Sequence, residues 1–149
     1  MIGQVFWTVL SGVTVFALGQ IFVKFVIDPI QDFYKLTGEI GHSLIYYANV
    51  YSNMDVCDES TRKEAHETFR KHASELFMRT HMIPLYGLWA KLHLLPSRKN
   101  VNDANSSLIG LSNGCLVTSG SDRSYESNRT RRTYIEKMLN LQTSVNEEE

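Results

Sequence analysis

Nineteen consecutive residues, Val5 to Val23, pass without a charge, and the run stops at Lys24. A bilayer core of about 30 Å takes roughly 20 helical residues, so the segment has the length of a membrane span. Eleven of its nineteen residues are Leu, Ile, Phe or Val, which sums to roughly −3 to −7 kcal/mol on an insertion scale. Gln20 is one opposing amide near an end, and Lys24 can snorkel to the interface. A cleaved signal peptide fits less well, because Met1 to Gln4 has no basic side chain. A buried core helix is the remaining reading.

Flanking charge gives an orientation. No Lys or Arg precedes the run, whereas Lys24 and Lys35 follow it. The positive-inside rule then puts the amino terminus outside and the body in the cytoplasm. Asn105-Ser106-Ser107 and Asn128-Arg129-Thr130 match the glycosylation triplet, but a cytoplasmic body would not use them. At helical spacing, Thr8, Ser11, Gly12, Val15 and Gly19 fall on one face of the span. Small residues let helices approach closely in lipid, which makes this a candidate oligomer face.

Beyond the span, Asp28-Pro29-Ile30-Gln31 has the pattern of a helix start, with Asp28 as cap and Pro29 in the first turn. The second helix is expected to run to about Asn49, or the chain to bend sharply at Pro29. Two apolar stripes cover most of its circumference, so it reads as the central helix of the fold. Asp28, Asp32, Lys35, Glu39, His42, Tyr46 and Asn49 remain as one polar line, spaced alternately by four and three. The first five are the candidate functional stripe, facing a pore or a binding groove; the plainer reading is a solvated edge. Glu39 and His42 also have the Glu-x-x-His spacing of di-iron bundles, but the second such pair is missing.

A third helix is expected from a Thr61–Glu64 capping box. Ala65, Phe69, Ala73, Leu76, Phe77 and Thr80 form its inner face, and His66 and His72 lie in solvent. Glu67 and Lys71 would pair across one turn. Pro84 opens a fourth helix with Leu85, Leu88, Trp89, Leu92 and Leu95 inward, unless Tyr86, Trp89 and Lys91 meet a bilayer interface. After the basic linker Pro96–Asn100, a fifth helix from about Val101 buries Ala104, Leu108, Leu111 and Cys115 and stops at Asn113-Gly114. Ser119–Ser127 is a polar, mobile linker. A short amphipathic helix carrying Arg129, Arg131 and Arg132, then Glu147–Glu149, completes the chain.

The fold class is therefore all-α: a transmembrane helix over 1–27, a cytoplasmic bundle of four to five helices over 28–116, and a linker, terminal helix and acidic tail over 117–149. A net charge of −1 gives no reason to expect nucleic acid. Cys57 and Cys115 lack paired spacing, which fits a reducing compartment. No Gly-rich phosphate loop, GxSxG or HExxH is present, so no catalytic residue, metal or cofactor is expected. Arg62 precedes His66 by only three intervening residues, too few for the Arg–His motif of all-helical RNases.

The phrases FVIDPIQDFYKLTGEIGHSLIYYANVYSN, IPLYGLW, LPSRKN and LIGLSN resemble small uncharacterised bacterial inner-membrane proteins with one amino-terminal span. The resemblance covers about residues 15 to 114 and implies an inner-membrane location, with no catalytic residue to carry over. The expected function is a membrane-anchored interaction module that self-assembles, as a homo-oligomeric pore or membrane-perturbing effector. The alternative is an accessory subunit docked on a larger membrane protein complex. An enzyme with an unrecognised site ranks last.

Overall fold

The computed structural model describes residues 2–53, 57–117 and 122–141. The chain is all-helical, with no strand among the described residues. In order it forms α1 (Ile2–Phe22), a π-helical turn (Val23–Ile27), α2 (Asp28–Tyr46), α3 (Ala48–Ser52) and α4 (Glu59–Met82), then α5 (Tyr86–Lys91), α6 (Arg98–Gly114) and α7 (Asp122–Leu139). Among the described residues one helix is long and apolar enough to cross a membrane, and its apolar window is wholly exposed.

The second helix does not begin afresh at Asp28. Ile27 already has helical angles, φ −70° and ψ −48°, and no side chain caps α2. The chain stays helical from α1 into α2 because the π turn absorbs the proline. Pro29 lacks an N–H, and its ring crowds the carbonyl four residues back. Just before it, the Asp28 N–H reaches Val23 O, five residues back. That wider turn opens the helix where the ring needs room.

The bundle core is built from Phe33, Leu36, Ile40 and Leu44 of α2, Ala65, Phe69 and Leu76 of α4, Val101, Ala104, Leu108 and Leu111 of α6, and Ile135 of α7, all buried. Burying a Leu, Ile or Phe side chain contributes roughly 1.5–3 kcal/mol. The centre of the bundle is α6, packed between α4 and α7, while α2 lies mainly against α4. The expectation of α2 as central helix is thus corrected: Tyr34 and Ile45, assigned to an apolar stripe, are exposed.

Three further differences have local causes. α4 starts earlier than Thr61, because Asp58 caps it by accepting from the Thr61 N–H at 3.1 Å. An aspartate at that position also suits the positive end of the helix dipole. Glu64, freed from a capping box, accepts instead from the Tyr47 hydroxyl at 3.0 Å, and Lys71 meets Glu75 at 3.9 Å rather than Glu67. Phe77 is exposed, since it falls one position past the inward seam of α4. Ser97 caps α6 through the Asn100 N–H, so Arg98 to Asn100 is helix rather than linker.

The terminal helix is an integral layer. Asp122 to Ser127, expected in a mobile linker, belongs to α7. Ile135 and Leu139 of α7 are buried in the common core. α6 and α7 approach closely at two glycines. A Cβ added to Gly110 would fall 2.6 Å from Arg131 Nε, and one on Gly114 2.3 Å from Asn128 Oδ1. Asn128 is buried and donates to Tyr51 O at 3.2 Å, so the acceptor asparagine of this glycosylation triplet is sequestered in the fold. The rest of the Ser-rich segment, 119–121, and the acidic tail lie outside the described residues.

Candidate functional site

The candidate oligomer face is fully exposed. Thr8, Ser11, Gly12, Val15 and Gly19 all lie on α1 clear of the bundle, and a Cβ at Gly12 or Gly19 would meet nothing within 4 Å. The hydroxyls on α1 satisfy themselves within the helix. Thr8 donates to Gln4 O at 2.9 Å, Ser11 to Thr8 O at 2.9 Å and Thr14 to Leu10 O at 2.8 Å. Back-bonding of this kind removes the need for water at those positions.

The polar stripe of α2 divides into two places. Asp28 and Asp32 line a cavity of ≈ 190 Å³ with Lys24, Pro29, Arg79 and Met82. Arg79 Nη1 donates to Asp32 O at 2.8 Å, and Asp32 pairs with Lys35 at 3.2 Å on an exposed surface. Higher on α2, Lys35, Glu39 and His42 line an open groove of ≈ 570 Å³ with Gly38, Ser43, Thr68 and His72. His42 stacks on Tyr46, ring centroids 5.9 Å apart and 14° from parallel.

The floor of that groove holds the contact that sequence reasoning missed. His72, expected in solvent, is 8% exposed, and its Nε2 lies 2.9 Å from Ser43 Oγ. Its Nδ1 is buried without a hydrogen-bond partner. Burial pushes the imidazole pKa down from its usual value, against smaller opposing pulls from Glu39 and Glu75. His66 is half-buried too, its Nδ1 within 3.0 Å of Ser112 O. The signal for His72 was present: it shares the α4 face of Ala65, Phe69, Ala73 and Leu76 at helical spacing.

A Ser–His contact invites comparison with nucleophilic catalysis, which needs a third group to orient the base and donors for an oxyanion. His72 Nδ1 has no such third group. Ser43 sits inside α2, where backbone N–H groups are spent on the helix. The groove presents an ammonium, a carboxylate, an imidazole and a hydroxyl on one open face. Glu39 and His42 share that face, and among the described residues no three His, Cys, Asp or Glu side chains converge as a metal site. Burial pushes the Cys115 thiol up to about 12, which keeps it protonated and unreactive.

No protein-family model matches this chain, nor does any curated protein or solved structure.

Proposed function

We propose that the protein is a single-span, membrane-anchored helical module that assembles with itself through the small face of α1 and carries its bundle in the cytoplasm. The observation that supports this most is α1 itself. It is an apolar helix of 21 residues, none of its apolar window is buried by the bundle, and it runs without a break into α2. Twenty-one helical residues extend about 30 Å, the thickness of a hydrocarbon core. In water such a surface would be a large unpartnered apolar patch. In lipid it is solvated, and packing then depends on close approach at Gly12 and Gly19.

The test is the mass of the detergent-extracted protein. Gly12→Leu with Gly19→Leu adds bulk where backbones would meet and leaves the segment apolar. The expected outcome is normal insertion and a smaller assembly. An unchanged mass would move the association to the bundle. A wild-type monomer would favour the second reading, an accessory subunit, which the unpartnered Nδ1 of His72 and the open groove around Glu39 support. Intact mass also checks the anchor, since a cleaved signal would leave a chain without α1.

A further inference from the structure

Between Glu75 and Asp103 the sequence has no acidic residue, while Arg79, Lys91, Arg98 and Lys99 fall inside that stretch. The same stretch holds the most exposed apolar surface of the bundle. Met82, Leu85, Leu88, Leu92 and Leu94 are between 48% and 73% exposed. The fourth helix was expected to turn Leu85, Leu88 and Leu92 inward. Instead α5 is a short helix that keeps Tyr86 in the core and leaves those leucines outside, while Leu95, beyond its end, is buried as expected.

This outward set is held rigidly from beneath. The Tyr86 hydroxyl donates to Pro96 O at 2.8 Å, and the Arg98 guanidinium lies 5.2 Å from the Tyr86 ring centroid. Trp89 Nε1 donates to Pro84 O at 3.0 Å, and Tyr34 of α2 donates its hydroxyl to Leu94 O. Leu85 and His93, at either end of α5, adopt φ values of 52° and 60°. Non-glycine residues take that left-handed conformation only at a cost, so the segment is held in a defined, strained shape.

Arg79 and Met82, at the end of α4, share a cavity with Lys24, Asp28 and Pro29. The chain therefore leaves α4 beside the first charged residue after the apolar run. We infer that residues 82–94 form an interfacial foot, whose leucines enter the headgroup region of the membrane that α1 spans. Lys91, Arg98 and Lys99 then meet anionic phospholipid. Apolar side chains with flanking cations on a short helix are the chemistry of interfacial binding. The inference rests on α1 being a span.

The two tryptophans, Trp7 in α1 and Trp89 in α5, test both readings separately. The full chain is reconstituted in phosphatidylglycerol–phosphatidylcholine vesicles with lipid brominated near the headgroup end of an acyl chain. In Trp7→Phe protein, Trp89 alone emits, and it is expected to be quenched. Adding Leu88→Ser and Leu92→Ser should remove the quenching while helical content and melting stay the same. Quenching that survives those changes overturns the role of the leucines. In Trp89→Phe protein, quenching of Trp7 reports the span. Trp7 quenched with Trp89 unquenched would overturn the foot and keep the span, leaving the leucines to a protein partner. Neither quenched would overturn both.

Discussion

His72 is a histidine with one nitrogen satisfied and one not, and that asymmetry has a pH consequence. Burial favours its neutral form, so its folded pKa lies below the ordinary value of 6.5. An unfolded chain therefore binds a proton first as pH falls, and the stability contributed by neutral His72 is complete above that value and lost on descending below it. The melting temperature should fall on acidification through about 6.5, and His72→Gln should lessen that slope while keeping a polar contact to Ser43. Identical slopes in both proteins would mean that His72 carries no such linkage. Two glycines make an opposite pair. Gly114→Ala puts a Cβ 2.3 Å from Asn128 Oδ1, and Asn128 is buried and bonded. Overpacking of this kind costs about 1–3 kcal/mol. Gly38 lies in α2 with open space beside it, so Gly38→Ala should raise stability by about 0.4–1 kcal/mol. A Gly114→Ala protein that melts no lower than the wild type would contradict the packing described at α6 and α7, and a Gly38→Ala protein that melts lower would contradict the open space beside Gly38.

At the scale of elements, the stripe on α2 has its own test. Glu39 is exposed and lines the groove, so Glu39→Gln should leave stability within about 0.5 kcal/mol. If the groove binds, partner capture or ion flux through reconstituted vesicles should change in the same variant. No change in either assay would reduce the stripe to a solvated edge. Much of the helical layout could be read from periodicity alone. The apolar run of α1 and the inward seam Ala104, Leu108 and Leu111 of α6, with Cys115 just past its end, follow directly from spacing. The start of α4 was misjudged because Asp58 and Thr61 are both good caps, and local propensity does not choose between them. The leucines around α5 carry a helical period, yet Leu85, Leu88 and Leu92 point outward and only Leu95 goes in, because left-handed turns at Leu85 and His93 set the path. The Ser43–His72 contact joins residues 29 apart on different helices. No local pattern specifies such a pairing; it follows from how α2 and α4 dock.

For the molecule as a whole, the direction of the proposed span would decide which compartment sees the groove. A reporter active only outside the cytoplasm, fused after Glu149, should stay silent; strong activity would reverse the orientation taken from Lys24 and Lys35. The π turn at Val23–Ile27 then acquires a mechanical meaning. Because α1 and α2 are one uninterrupted helix, the turn works as a coupling between two shafts. It fixes the angular phase between the small face of α1 and the groove on α2. Each residue added to that coupling rotates one against the other by about 100°. One alanine inserted after Phe25 should leave bundle melting unchanged yet point the groove away from its position in the proposed assembly. An insert of about seven residues, close to two full turns, should bring the phase back. Groove-dependent binding that rises and falls with insert length would show the two ends of the protein to be geared together, and binding indifferent to insert length would show them to turn independently.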